Sequence, residues 1–281
     1  HSSHRSEGEV MLNHMSASSL GMGLRCMEQF RQRYILGNKI PPGFAAHVGS
    51  GVHRGAEVDL RAKIATGEDV PVDVVEDAAA DGYRERLRND GVFVPREERS
   101  RAKLDAADGL DRAVRLARAW RLDVAPDVQP AMVEQRIEAD GDGPDDLPWL
   151  GYLDLIDADG RVVDWKTANR RWAKGREHDE VQATVYRHLV RTFTGREPAA
   201  LRYVVLYESK SKGVQADTRD TERTDDDWRV VQARARLVVA QARAGIFPPA
   251  APGSWNCSPR WCGFWGSCPH ISDRLRRLPN V

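Results

Sequence analysis

The sequence lacks any apolar run approaching the ~20 residues that a membrane-spanning helix requires, so a bilayer-spanning chain is excluded. It also lacks an internal repeat or a low-complexity linker that would divide it. Nothing near the start reads as a secretion signal, and there are only four cysteines in 281 residues. Together these argue against a disulfide scaffold and for a cytoplasmic protein. Net charge is missing too: 42 basic and 42 acidic residues cancel, so global charge does not point to a polyanionic partner. Lysine is scarce, 7 against 35 arginines. A GC-rich coding sequence explains that bias, and it gives a lysine inside a carboxylate cluster more weight than usual. What is present, 41% hydrophobic and 30% charged residues, suffices for a packed core and excludes wholesale disorder.

Residues 1–14 end in His14-Met15, which resembles a cloning junction, and are expected to be tag-derived. The remaining residues, 15–281, read as one α/β domain. Its helical region covers 15–125, a sheet core 126–222, and a long helix with a cysteine-rich tail 223–281. Apolar periodicity predicts helices over Ser16–Ile35 (capped by Ser18 or Ser19), 46–66, 72–90 and 101–122. The last shows a stripe of Leu104, Ala107, Leu110, Val114, Ala117 and Trp120. Alternation predicts strands at Ala131–Ala139, Trp149–Ile156 and Arg161–Lys166, the last two joined through the turn-forming Asp157-Ala158-Asp159-Gly160. A helix over Glu177–Thr194, strands at Leu201–Tyr207 and 213–220, and a helix over Asp225–Ala244 complete the pattern. The acidic run 140–146 lacks the glutamate that closes a calcium loop and reads as a solvated turn.

The chemistry concentrates in Gly151-Tyr-Leu-Asp154 and Val162-Val-Asp164-Trp-Lys166. Side chains alternate along a strand, so Asp164 and Lys166 share one face and Trp165 takes the other. In a hairpin turning at 158–160, paired positions sum to 318, which sets Asp154 opposite Asp164 with Cβ atoms ~4.5–5.5 Å apart. Carboxylates that close repel unless one is protonated or a cation lies between them. Mg²⁺ or Mn²⁺, hard ions that take oxygen ligands, suit that pair. Lys166 could then position the attacking water or stabilise charge on a phosphate. A surface hairpin whose acids pair with arginine is the alternative, disfavoured by the flanking Leu153, Leu155, Val162 and Val163. Glu134, on the preceding strand, is either a further acid of the site or an ion-pair partner of Arg136.

This Gly-hydrophobic-Asp followed by Asp-x-Lys resembles the core of the PD-(D/E)xK nuclease superfamily. More closely it resembles the RecB-type branch, which includes the AddB nuclease domain and the CRISPR-associated four-cysteine exonucleases. The resemblance extends from residue 16 to 268. It implies a restriction-endonuclease-like fold, a short mixed sheet flanked by helices, with the C-terminal tail packed on the first helix through an iron–sulfur cluster. It further implies that Asp154 and Asp164 bind Mg or Mn, with His53 as a nitrogen ligand and the main-chain carbonyl of Trp165 as another. Lys166 would be catalytic, and Gln182 and Tyr186, four apart on one helix face, would contact the water or the DNA backbone. That face also carries Leu189 and Phe193, so a role at the edge of the core is the competing explanation.

Cys257, Cys262 and Cys268 cluster at the C-terminus and Cys26 stands far upstream. Four thiols match a tetrahedral zinc or a cubane cluster. The resemblance favours [4Fe–4S], although the relatives usually space the first pair by two residues rather than four, which leaves zinc open. Between Gly160 and Arg176 six basic residues face one acid. Arg170, Arg171 and Lys174 could hold a phosphate backbone there, and an exposed Trp172 could stack on an unpaired base; a solvated loop is the alternative. The expected function is therefore a Mg- or Mn-dependent DNA exonuclease acting on single-stranded ends. The resemblance places it in recombination, repair or CRISPR adaptation, with protein partners in those processes. An endonuclease or a nuclease subunit of a larger complex is one alternative, and a non-catalytic nucleic-acid-binding module with structural zinc is another.

Overall fold

A β-hairpin organises the sheet of this computed structural model, which describes residues 12–251 and 253–272. Of the expected tag, residues 1–11 lie outside the described residues. Strands β2 (Trp149–Asp157) and β3 (Arg161–Ala168) flank the hairpin turn. Gly160 adopts φ +82°, a left-handed conformation that glycine takes without steric cost. The Asp157 carboxylate accepts the Arg161 N–H at 2.8 Å. Leu155 pairs with Val163 and Ile156 with Val162, the register expected from the sequence.

With β1 (Pro130–Ala139), β4 (Ala200–Ser209) and β5 (Gly213–Thr221), these strands form a five-stranded mixed sheet in the order β1-β2-β3-β4-β5. β3 and β4 run parallel from Arg161↔Ala200 to Ala168↔Tyr207, and parallel neighbours need a crossover. The crossover is helical: α6 (Arg176–Asp179) and α7 (Val181–Thr194). They replace the single helix expected over 177–194, because Glu180 takes an extended conformation between them.

Contacts divide the chain into two compact units. One comprises Pro41–Ile137 and Gly151–Arg223. In it α3 (Phe44–Thr66), α4 (Val72–Asp90) and α5 (Ala102–Asp123) pack on one another. Val52, Leu60, Leu116 and Trp120 form a common core with Leu155, Val163, Trp165 and Val204 of the sheet. The Trp120 and Trp165 rings meet edge to face at 5.5 Å. Trp165 thus lies on the face opposite its neighbours Asp164 and Lys166, as alternation requires. The stripe expected on α5 is displaced: Ala117 and Trp120 are buried, but so are Ala113 and Leu116, while Leu104 is exposed. The core-facing surface follows the small residues Gly109, which lies against Tyr83 of α4, and Ala113, which lies against Gly51 of α3.

The other unit contains α1 (Ala17–Arg25), α2 (Met27–Phe30, continued by a π turn Arg31–Ile35), the segment around 138–150, α8 (Asp225–Arg243) and the tail. The single helix expected over Ser16–Ile35 is broken at Cys26, whose φ of −164° and ψ of 107° are extended. Ser16, not Ser18 or Ser19, caps α1, with Ser19 completing a reciprocal capping box. The acidic run 140–146 is anchored rather than merely solvated. Asp142 accepts from Trp228 Nε1 at 2.9 Å, and Asp146 receives a two-pronged contact from Arg236 at 2.7 and 2.8 Å.

A buried charge network holds the helical layer of the first unit. Asp59, fully buried, accepts from the Val70 N–H at 2.8 Å and lies 3.4 Å from Arg121. Lys63 pairs with Asp69 at 3.0 Å and donates to the Ala125 carbonyl at 2.8 Å. Burial, aided by the neighbouring Asp69, pushes the Asp59 carboxyl up to about 6 from its ordinary 3.8, against the pull of the Val70 N–H and Arg121. The folded state therefore holds this proton more tightly than the unfolded chain. Stability contributed by protonated Asp59 is complete below pH ~4 and is lost as pH rises through about 6. Replacing Asp59 by Asn, which keeps an acceptor for Val70, should flatten the fall of thermal stability between pH 4 and 6.5 by an amount on the order of 2 kcal/mol. Melting curves across that range test this; parallel pH profiles for variant and wild type would contradict it.

Candidate active site and thiol cavity

β2 and β3 pair at Leu155↔Val163 and Ile156↔Val162, and at the next position toward the site a side-chain contact follows. The Asp154 carboxylate accepts the Trp165 N–H at 2.8 Å through Oδ2. Tyr152, two residues earlier on β2, gives its carbonyl to the Tyr186 hydroxyl at 2.5 Å. Gly151 lets α7 come this close, since a Cβ there would stand 2.5 Å from Leu189 Cδ1. In this arrangement groups reach the hairpin from both sides, His53 from α3 and Gln182 and Tyr186 from α7.

His53 Nδ1 lies 3.3 Å from Asp154 Oδ1 and 3.8 Å from Glu134 Oε1. These three residues are the one group of His, Cys, Asp or Glu among the described residues whose ligand atoms all fall within 4.8 Å of one another. His53 Nε2 sits 3.1 Å from the Trp165 carbonyl oxygen. With the proton on Nε2, that contact orients the ring and leaves Nδ1 for a cation, as is common for metal-bound histidines. The Trp165 carbonyl, expected as a direct ligand, is thus also an orienting acceptor for His53. Glu134 is the site residue that sequence left undecided. It has φ +49°, the one non-glycine residue with positive φ among the described residues. Such conformations cluster at functional sites, but alternation along a strand gives no hint of them.

On the α7 side Asp164 Oδ2 lies 2.6 Å from Lys166 Nζ, while Oδ1 is buried with no hydrogen-bond partner among the described residues. Lys166 also donates to Gln182 Oε1 at 2.7 Å, and Gln182 Nε2 reaches the Tyr186 hydroxyl oxygen at 2.5 Å. A chain of contacts therefore runs from Asp164 through Lys166, Gln182 and Tyr186 to the backbone of Tyr152. The Tyr203 ring lies 5.9 Å beneath the Lys166 ammonium. The four predicted residues Asp164, Lys166, Gln182 and Tyr186 are thus joined in one chain of contacts.

The electrostatics are those of a carboxylate cluster short of positive charge. Burial pushes the Asp164 carboxyl up to about 6, Lys166 pulls against it, and Asp154 adds to the rise. Burial disfavours the His53 imidazolium, yet Asp154, Glu134 and Asp164 outweigh it and raise His53 well above its ordinary value. Lys166 behaves alike: burial lowers its pKa, but Asp164 and Asp154 more than compensate, so it remains an ammonium. Burial and the same carboxylates keep Tyr186 a neutral phenol. An orphaned buried oxygen on Asp164 and a histidine that draws in a proton both mark a site suited to a divalent cation.

The loop after β3 departs from expectation. Trp172 is only 6% exposed, packed 5.4 Å from Tyr203 with the Arg176 guanidinium 4.7 Å over its ring. It offers no free face to a base, which corrects the stacking role expected of it. Arg171 is paired with Asp217 at 3.0 Å. Arg170 and Lys174 are exposed, with no ion pair among the described residues.

Separately, Cys26, Cys257, Cys262 and Cys268 are free thiols lining one cavity with Pro249, Ala250, Phe264, Trp265 and Ile271. The extended conformation of Cys26 belongs to this cavity. Burial, then the neighbouring sulfurs, push the Cys257 thiol up; burial does the same to Cys268. Gln29 Nε2 lies 3.1 Å from Cys262 Sγ.

A mixed sheet bearing two acids and a lysine on adjacent strands, beside a His/Glu/Asp trio, defines a nuclease-type phosphodiester hydrolase. The chain belongs to the PD-(D/E)XK nuclease superfamily, whose family model matches residues 14–269. That family uses divalent metals. Among solved structures the chain is similar to a "putative exonuclease" from Eubacterium rectale, with 13% identity over 87% of each chain and a TM-score of 0.54, a likeness of fold. It also matches SSO0001 at 13% identity over 92% of this chain and 86% of that one, where a TM-score of 0.40 carries no argument. No curated protein matches the chain.

Proposed function

We propose that this protein is a divalent-metal-dependent DNA exonuclease of the RecB-like branch that acts on single-stranded ends and carries a [4Fe–4S] cluster. The observation that carries the nuclease reading is the Asp164–Lys166 pair, with its unpartnered Asp164 Oδ1, beside the trio of His53, Glu134 and Asp154. The preference for DNA ends draws on the resemblance to RecB-type nucleases and on the name of the Eubacterium rectale structure.

His53, Glu134, Asp154 and Asp164 are the residues that would hold Mg²⁺ or Mn²⁺. Such an ion, when bound, lowers the pKa of water and stabilises charge on a phosphate oxygen. The chain's own groups do the rest. Lys166 is an ammonium, so it serves not as a base but as a fixed positive charge for the developing phosphorane, where preorganised charge acts most strongly. Gln182 fixes the direction of the ammonium, and Tyr186 fixes Gln182 while tying α7 to β2. The Trp165 N–H holds Asp154 and the Trp165 carbonyl holds His53, so one peptide segment aligns both.

The four-cysteine cavity supplies four thiols, the number that either a tetrahedral zinc or a cubane cluster takes, and the resemblance to four-cysteine RecB-type nucleases favours the cluster. The cluster's place is structural: its ligands come from the extended break after α1 and from the tail, so bonding them contributes folding free energy.

Two experiments follow. Asp164→Asn and Lys166→Met should each lower cleavage of end-labelled single-stranded DNA in Mg²⁺ or Mn²⁺ on the order of 100-fold or more, with circular single strands resistant in the wild type. Retained activity in both variants would overturn the catalytic assignment, and rapid cutting of circles would overturn the exonuclease one. Purified protein should contain iron and sulfide and absorb broadly at about 400 nm, and Cys262→Ala should lose both the colour and solubility. A soluble, colourless, zinc-loaded wild type would overturn the cluster.

A further inference from the structure

The metal trio is open on one side. His53 and Glu134 retain about a third of their side-chain exposure, at 31% and 29%. They face a polar groove of roughly 780 Å³ between α3 and α4, within the ~300–1,000 Å³ of typical ligand sites. Nothing in the catalytic arrangement uses its other lining residues. We propose that this groove grips the DNA strand on one side of the scissile phosphate through its backbone, in a sequence-independent way; the proposal rests on the nuclease reading of the adjoining trio.

Three features support it. First, the opening turns of the α3 wall present Ala46, Gly49 and Ser50, small residues that leave room for a chain of phosphates and sugars to pass next to His53. Second, two exposed arginines stand on opposite walls, Arg54 on α3 and Arg86 on α4. Both can turn to a phosphate at little cost. Arg54 contacts Glu57 at 3.0 Å, but Glu57 is also held by Arg61 at 2.8 Å and stays neutralised if Arg54 leaves. Arg86 pairs with Asp90 at 3.5 Å, in a solvent-exposed pair of the kind that holds weakly. Asn89 adds an exposed amide on the same wall. Third, no Phe, Tyr or Trp among the described residues lines the groove, so bases find no large stacking platform there and the contacts available are to the backbone.

Three acids line the groove and work against an anionic strand: Glu57 is held by Arg61 and Glu134 belongs to the trio, while Glu85 is exposed and has no cationic partner among the described residues. This gives the proposal a sign that packing alone would not produce. Removing an arginine should weaken binding, and removing the Glu85 charge should strengthen it.

The experiment is fluorescence anisotropy of the full chain with a labelled oligothymidylate in EDTA, so that binding is read without cleavage. Arg54→Gln and Arg86→Gln should each weaken binding roughly three- to ten-fold and reduce the slope of log affinity against log salt by about 0.7. Glu85→Gln should tighten binding about two-fold or more by the same electrostatics, and mixed-sequence oligonucleotides should bind like oligothymidylate. With metal present, the arginine variants should cleave oligonucleotides with raised KM, yet hydrolyse the small diester bis(p-nitrophenyl) phosphate as the wild type does. Arg54→Lys and Arg86→Lys should restore most of the binding. Unchanged affinity in both Gln variants of a wild type that binds and cleaves would overturn the groove. Charge effects as stated in a protein that cleaves no DNA would uphold the groove and remove the nuclease reading.

Discussion

Repulsion among buried carboxylates is the constraint around which this structure is arranged. Asp154 and Asp164 stand on adjacent strands inside a largely apolar sheet, with Glu134 reaching the same region from β1. Each negative charge removed from water there is expensive unless a cation or directed hydrogen bonds compensate it. The chain supplies part of that compensation: the Trp165 N–H for Asp154, the Lys166 ammonium for Asp164, and a proton held on His53. What remains uncompensated, Asp164 Oδ1 above all, defines the character of the site.

The fold serves that constraint by opening its own sheet. Where the hairpin ladder gives way to side-chain contacts, main-chain groups that a regular sheet would use internally become available: the Trp165 N–H and carbonyl, and the Tyr152 carbonyl. Gly151 brings α7 against the widened strand, and the core packed around Trp165 holds α3 on the other side. The sheet thus brings together residues far apart in sequence, from 53 to 186, without placing any of them on a long loop.

Much of this was legible in the sequence because strand alternation is a strict rule. It placed Asp164 and Lys166 on one face and Trp165 on the other, and the turn at Gly160 fixed the register. The family resemblance then supplied His53, Gln182 and Tyr186. The failures have physical causes as well. The break at Cys26 is invisible to helical periodicity, because Leu20, Met27 and Phe30 remain buried on either side of it. Trp172 reads as exposed in an arginine-rich loop, yet its apolar ring is covered by Tyr203 and Arg176. Glu134 depends on a left-handed backbone that no residue preference signals. Ser16 displaced the expected caps because its reciprocal contact with Ser19 satisfies two helix-end groups at once.

The account as a whole depends on the carboxylate cluster accepting a divalent cation in place of the proton on His53. Calorimetric titration of Mn²⁺ into the full chain, in buffers of different ionisation enthalpy, measures binding and proton release together. Binding accompanied by proton release at neutral pH, with both lost in Glu134→Gln and Asp154→Asn, is the result this structure requires. Mn²⁺ binding that is indifferent to those substitutions, or no binding at all, would contradict it.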